Sequence, residues 1–299
     1  MKPQTLPVPR RYSIGASQFE AEKLAPGLYV TATPIGHLSD VTLRALATMA
    51  AVDVLLCEDT RTTAKLLERY GIRTRLMPYH EHNAVKVRPA ILKALGEGQS
   101  IALVSDAGMP LVSDPGYRLV ADCVTNSIPV TAIPGASAVL TALALSGLPT
   151  DRFAFLGFLP AKSGERKKLL TEFAGVKTTL IVFESPHRIV DALVDLASVL
   201  GNRRIAVTRE LTKLHEEVLR GTALEVCGIL SARPSVKGEI TLVIAPPEQN
   251  ASQASDATIE SAIDDALKSM PAAKAAADVA KRFDFPKKDI YARILARKT

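Results

Sequence analysis

The chain has 299 residues, 47% hydrophobic and 23% charged, which suits a soluble protein with room for two α/β domains. Its formal net charge is +6, and from Lys268 to Thr299 nine Lys/Arg stand against three Asp, so the rest of the chain is neutral and a polyanion held by the basic end is the expected partner. Cys57, Cys123 and Cys227 are far apart with no C-x-x-C, which argues against zinc and disulfides, and the longest apolar region, Ala136 to Leu148, is too short to span a bilayer.

Residues 1–25 carry Lys2, Arg10 and Arg11 with no apolar core before a small-residue cleavage site, so they read as a loose basic arm rather than a signal peptide, and the compartment as cytosolic. From Gly27 strands and helices alternate. A strand over Leu28 to Ala32 leads through Thr33-Pro-Ile-Gly36 into a helix opened by Ser39 or Asp40, with Leu43 and Leu46 on one face. Val52 to Cys57 is the second strand; a helix capped between Thr60 and Thr63 follows and ends at Gly71, where a left-handed residue is needed. A short strand near Leu76 to Tyr79, a helix to Gly96, and strand–helix pairs over residues 100–126 and 128–146 complete an α/β domain over residues 26–149.

A second α/β domain, residues 150–247, opens with the strand Phe153 to Leu159 and a basic, polar helix from Ser163. Strands at Thr179 to Phe183, Ile205 to Thr208 and Ile240 to Ala245 follow, with a helix after Ser185-Pro-His-Arg188. The short boundary near Leu148 to Arg152 predicts close packing and a shared cleft. Pro246-Pro247 breaks the chain, residues 248–257 are Gln/Ser/Ala-rich, and Thr258 to Ser269, Ala272 to Arg282 and Pro286 to Ala296 read as three short helices of a helix-turn-helix-like tail, residues 248–299 in all.

The loop Val104-Ser-Asp-Ala-Gly-Met-Pro-Leu-Val-Ser-Asp-Pro-Gly-Tyr117 writes Ser-Asp-x-Gly twice between a buried strand and a helix, the place where open α/β sheets bind ligands. Glycine permits close backbone approach and Asp supplies a fixed acceptor, while a turn with Asp as helix cap is the plainer alternative. No G-x-x-x-x-G-K-[ST] occurs, and Gly96-Glu-Gly98 lies after a helix and before a strand, the wrong order for a dinucleotide fingerprint. Gly135-Ala-Ser137-Ala does not complete a nucleophile elbow, so Ser137 reads as a helix cap beside the cleft.

Taken together, Thr33-Pro-Ile-Gly36, Glu58-Asp-Thr-Arg61, Tyr79-His-Glu-His-Asn83, the doubled Ser-Asp-x-Gly loop, Pro134-Gly-Ala-Ser-Ala138, Phe183-Glu-Ser-Pro-His-Arg188, Thr208-Arg-Glu-Leu-Thr-Lys213 and Gly238-Glu239 resemble the tetrapyrrole-methylase-type fold. More narrowly they resemble the ribosomal RNA small subunit methyltransferase I family, over about residues 26 to 299. His37, Met109 and Cys57 depart from residues usual there, and Met109 stands where the resemblance implies a polar contact to the cofactor. The resemblance implies two α/β domains with a cleft between them, S-adenosylmethionine as cofactor, and methylation of the ribose 2′-oxygen of a decoding-centre cytidine in 16S ribosomal RNA or the small ribosomal subunit, by a homodimer.

By the same resemblance the cofactor is held by Pro34, Ile35 and Gly36; by Ser105, Asp106, Ala107, Gly108, Pro110 and Ser113; by Pro134, Gly135, Ala136, Ser137 and Ala138; and by Phe158, Glu184, Pro186, Gly238 and Glu239. Such a ligand needs backbone polar groups, a carboxylate or two and apolar walls. Methyl transfer from a sulfonium needs alignment and no metal, and a base is optional. Glu58, Asp59, Arg61, His80 and Glu81 are the catalytic candidates, with Asp59 equally suited to capping a helix. Arg44, Arg61, Lys65, Lys287, Lys288 and Arg293 are the RNA-contact candidates. His80-x-His82 is a metal possibility only if the two lie on an extended strand. A porphyrin-like acceptor and a non-enzymatic ribosome assembly factor are the alternatives; the basic tail speaks against the first and the cleft loops against the second.

Overall fold

The structure, a computed structural model, describes residues 10–247, 256–283 and 285–297. Arm residues 1–9, linker residues 248–255, Asp284 and residues 298–299 lie outside the described residues. The chain divides into two compact units, Met1–Pro246 and Pro247–Thr299.

The first unit opens with a hairpin, β1 (Arg11–Ile14) and β2 (Ser17–Glu20), where the sequence suggests a loose arm. Gly15 takes the left-handed turn position at φ 59°, and Tyr12 stacks on Phe19 with ring centres 5.3 Å apart. The hairpin is tied down because Ser13 N donates to the Tyr70 carbonyl at 2.7 Å and Arg10 pairs with Asp53 at 3.1 Å.

The next stretch alternates β3 (Gly27–Thr31), α1 (Leu43–Ala51), β4 (Val54–Cys57), α2 (Thr60–Arg69), β5 (Leu76–Pro78), α3 (Glu81–Gly96), β6 (Ser100–Leu103), α4 (Tyr117–Thr125), β7 (Val130–Ile133) and α5 (Ala138–Ser146). The strands form one parallel sheet in the order β5-β4-β6-β3-β7. β3, β4 and β6 are buried throughout, as expected of strands covered on both faces by helices. α1 begins later than the sequence suggests: Thr42, not Ser39 or Asp40, caps it by accepting from Ala45 N at 3.1 Å. That shift turns Leu43 out to 64% exposure, and Ala45, Leu46 and Met49 make the buried face.

The second half holds β8 (Phe153–Phe158), α6 (Ser163–Glu172), β9 (Thr179–Glu184), α7 (Ile189–Leu200), β10 (Arg204–Arg209), β11 (Glu217–Thr222), α8 (Ala223–Ser231) and β12 (Ile240–Ile244). Its sheet, ordered β11-β10-β12-β9-β8, is mixed: β8 and β9 are parallel, and β12 lies antiparallel between β9 and β10. Sequence patterning does not reveal β11, an edge strand carrying Glu217, Arg220 and Gly221 in place of an apolar run.

The two halves share a core. α5 is apolar on nearly every side, and its Val139, Ala142 and Leu143 pack with Ile35 from the first half and with Ile181, Ala206, Leu211 and Val243 from the second sheet. The second unit is a cluster of α9 (Asp256–Ser269), α10 (Ala272–Phe283) and α11 (Lys287–Ala296) around Ile259, Ile263, Val279, Ile290 and Ile294.

Candidate active site

Loops after β3, β4 and β6 leave the carboxyl ends of adjacent strands in the first sheet, so they converge on one edge. Thr33 and Gly108 exchange backbone hydrogen bonds at 2.9 and 3.1 Å, and the Thr33 hydroxyl donates to the Ser105 carbonyl at 3.1 Å. The Ser105 hydroxyl turns back onto the Ala107 and Gly108 carbonyls, so this serine braces its own loop. Gly108 sits at φ 82°, and a Cβ there would press on Ile35 Cγ2 at 3.2 Å and approach the Ala136 carbonyl at 3.6 Å. Its glycine requirement thus comes from backbone conformation and from the meeting of three loops. Asp106 accepts from Asp59 N at 3.1 Å, fastening the end of β4 to the loop after β6.

These loops face the second half across a cleft of about 310 Å³. Nine of the expected cofactor residues line it: Ile35, Ala107, Ser113, Ala138, Phe158, Glu184, Pro186, Gly238 and Glu239. Pro34, Gly36, Ser105, Asp106 and Lys65 line an adjoining cavity of about 250 Å³, which shares Ile35, Ala107 and Glu239 with the first. Pro110, Pro134, Gly135, Ala136 and Ser137 line neither cavity and act behind the walls. Ser137 caps α5 by accepting from Leu140 N at 3.4 Å, and a Cβ on Gly135 would come within 2.9 Å of Ala32 Cβ.

The cleft floor carries an unused acceptor. Glu184 Oε1 pairs with Arg188 at 2.6 Å and accepts from Ser185 N at 2.6 Å, whereas buried Oε2 has no partner among the described residues. Above it Phe158 is 57% exposed and tilts against Phe183 with ring centres 5.4 Å apart. An orphaned carboxylate oxygen costs free energy until a donor meets it, and an exposed ring offers a face to a planar base. A ligand with an adenine at one end and donor groups or positive charge at the other, as S-adenosylmethionine has, fits this set.

Backbone strain concentrates at the cleft rims. Among the described residues, four of the five non-glycine residues with positive φ lie in two loops near the cleft: Leu111 and Ser113 in the loop after β6, and Glu210 and Thr212 in the loop after β10. Gly36 marks the closest approach: a Cβ would fall 2.6 Å from Thr212 Oγ1 and from Lys213 Cγ. Lys213 pairs with Glu210 at 2.9 Å and Glu239 at 3.1 Å, and no site role for it follows from the sequence.

Of the catalytic candidates, Asp59 is the N-cap of α2. It accepts from Arg61 N at 2.8 Å and grips the Arg61 guanidinium at 2.7 Å, bonds that bring its carboxyl down to about 2. Arg61, 88% exposed, is thereby held by its own neighbour. Burial and the nearby Asp106 charge raise the Glu58 carboxyl, with His80 opposing them. His80 and His82 stand at the start of α3 rather than on a strand, so the strand geometry a shared metal requires is not formed. Glu81 is exposed in the first turn of that helix. Arg44 lines neither cavity; its guanidinium donates to the Ala132 carbonyl on β7 at 3.2 Å. Asp114, outside the candidates named from sequence, is the most perturbed carboxyl here: burial, then the Glu58 charge, carries it up to about 6, with a Ser105 hydrogen bond opposing.

In the second unit Arg293 lies 3.6 Å from Glu260 and over the Phe285 ring, and Arg297 pairs with Glu260 and Asp264. From Pro247 onward the sequence has nine basic and eight acidic residues, so the excess seen from Lys268 is largely balanced by acids of α9 and the segment before it. Lys287 and Lys288 remain exposed on the first turn of α11.

Residues 27–227 match the model for Tetrapyrrole (Corrin/Porphyrin) Methylases, and residues 253–298 match that for the RsmI C-terminal HTH domain. A ribosomal RNA small subunit methyltransferase I of Mesorhizobium japonicum is 47% identical over 95% of this chain and 97% of its own. One of Erythrobacter litoralis is 48% identical over 93% and 98%. Among solved structures, uroporphyrin-III C-methyl transferase from Thermus thermophilus, complexed with S-adenyl homocysteine, superposes with a TM-score of 0.51 at 20% identity, covering 73% of this chain and 96% of that one; the likeness is one of fold.

Proposed function

Since the chain belongs to the tetrapyrrole methylase family, and within it to the ribosomal RNA small subunit methyltransferase I family, we propose that it transfers a methyl group from S-adenosylmethionine to the ribose 2′-oxygen of a decoding-centre cytidine in 16S ribosomal RNA. The observation that carries the cofactor half is Glu184: a buried carboxylate with one oxygen unspent, in a cleft of about 310 Å³ that exposed Phe158 also lines.

When bound, S-adenosylmethionine supplies a methyl carbon already activated by sulfonium. What the chain supplies is position. Phe158 would hold the adenine and Glu184 Oε2 would accept from a donor of the bound cofactor, while Ile35, Ala107 and Glu239 lie where the two adjoining cavities meet. The His37–Thr212 hydrogen bond ties the loop that carries Ile35 to the second half, and fixed alignment contributes much of the acceleration of an in-line displacement. Asp59 serves as cap and brace in this reading. Lys65 beside the cleft and Lys287 and Lys288 on α11 are the RNA phosphate contacts, with Arg61 a weaker one because of its bond to Asp59.

No helix among the described residues is long and apolar enough to cross a membrane. A cytoplasmic homodimer working on the small subunit or its RNA completes the proposal. The test is mass spectrometry of 16S ribosomal RNA nucleosides from cells with and without the protein: loss of one 2′-O-methylcytidine is expected, and an unchanged nucleoside profile overturns the proposal.

A further inference from the structure

A third cavity, of about 210 Å³, lies between α3 and α4, on the far side of the loop over residues 111–116 from the cofactor cleft. Tyr79, Glu81, Arg88, Tyr117 and Arg118 contribute to its walls. Among the described residues, Asp114 alone lines both this cavity and the cleft. Resting on the function proposed above, we infer that this cavity receives the acceptor ribonucleotide and that Asp114 takes the proton from its 2′-hydroxyl.

The walls suit a nucleotide. Tyr117 is 74% exposed at the mouth, a ring face on which a base can stack, and a guanidinium from Arg118 beside it matches a phosphate. Arg88 is committed to Asp122 at 2.8 Å and fixes the α3–α4 spacing. The partition is built to hold a carboxylate in a basic state. Asp114 faces Glu58 from the end of β4, Asp106 and the Ser105 hydroxyl from the loop after β6, Glu81 and Arg88 from α3, and Arg118 from α4. Burial and the two neighbouring carboxylates bring it to about 6, still ionised at neutral pH and a better proton acceptor than an ordinary Asp. In the step, the hydroxyl oxygen bonds to the methyl carbon as the carbon–sulfur bond breaks with its electron pair passing to sulfur, and the hydroxyl proton passes to Asp114.

The experiment uses the full-length protein, S-adenosylhomocysteine as cofactor probe, and small subunits from cells lacking the enzyme as acceptor. D114N should lower kcat by about 10² or more and abolish the rise of rate with pH centred near 6, leaving S-adenosylhomocysteine and subunit affinities within about twofold. Y117A should raise KM for the subunit by about tenfold with kcat kept, the scale of one base stack removed. Retention of the pH limb and of kcat within about threefold in D114N overturns the inference, as does loss of S-adenosylhomocysteine affinity in step with rate, which makes Asp114 a cofactor contact. Nucleoside analysis separates the two levels: a methyl group off the ribose sinks the proposed function itself, whereas ribose methylation unaffected by D114N sinks only this assignment.

Discussion

The backbone amide of His37 donates to the Thr212 hydroxyl at 3.0 Å, and this bond links the loop after the first core strand to a strained turn of the second half. It forms where Gly36 lets the two loops touch, and Gly36 and Lys213 line the cavity that adjoins the cofactor cleft.

Gly36→Ala tests that contact. The added methyl meets Thr212 Oγ1 and Lys213 Cγ at 2.6 Å and the Leu211 carbonyl at 2.9 Å, and backbone cannot swing aside as a side chain can. Overpacking of this kind costs about 1–3 kcal/mol. A lower Tm and about tenfold weaker S-adenosylhomocysteine binding by calorimetry are expected. Unchanged values for both would mean that the loop yields freely and does not set the cleft.

Arg166 and Asp195 form a buried ion pair, 3% and 6% exposed, at 2.6 Å, with Ser163 also donating to the carboxylate at 2.9 Å. Burial alone would raise the Asp195 carboxyl, yet the bonds from Ser163, Arg166 and Lys167 outweigh it and hold the carboxyl low. Arg166→Met removes the buried partner and leaves the carboxylate only Lys167, at 3.3 Å, and Ser163; it should cost about 3 kcal/mol in urea denaturation, much of it recovered when Asp195 is also made Leu. A loss below about 1 kcal/mol would show that water reaches the pair.

Asp114 predicts a pH dependence of stability opposite to that of most carboxylates. Its folded-state carboxyl is raised to about 6, so between the ordinary Asp value of about 4 and 6 the folded chain binds a proton that the unfolded chain has released. Stability therefore falls as pH rises through that window. Asp114→Asn should raise Tm relative to the parent above pH 6, with the gain vanishing near pH 4. A gain of equal size at both values would show that the effect is not one of ionisation.

Removal of residues from Pro247 onward should leave S-adenosylhomocysteine affinity intact, because the cleft lies wholly within the first unit. It should weaken RNA binding and flatten its salt dependence by about 0.7–0.9 for each phosphate that the unit neutralises. With Lys268, Arg293 and Arg297 paired to acids of α9, the slope change should fall short of the nine phosphates that a count of basic residues alone gives. An unchanged slope would make this unit a structural appendage.

The parallel sheet and its loops are legible in sequence because buried strands are short apolar runs and the loops announce themselves with Gly and Pro. The hairpin of residues 11–20 and the edge strand β11 are not, since both are polar and gain their order from partners distant in the chain, such as Tyr70 for Ser13. Within the site, the motif residues Ile35, Ala107 and Glu184 reach the cleft. Arg44 does not, because the direction of an exposed arginine is set by the nearest open carbonyl, here Ala132. Asp114 sits beside Ser113 in the doubled motif, but its special character comes from burial and then from Glu58, a neighbour supplied by another strand, neither of which the motif displays.

Helix α5 closes the first half in sequence while filling the core beneath the second sheet, where Ala142 is fully buried and Leu143 nearly so. A fragment ending near residue 149 would present that apolar helix to water, and one beginning there would leave Ile181, Ala206 and Val243 uncovered. Neither half is a transplantable module. Any widening of the space between the sheets has to shear the contacts that α5 makes with the second sheet, so a change of acceptor is accommodated more cheaply in the loops.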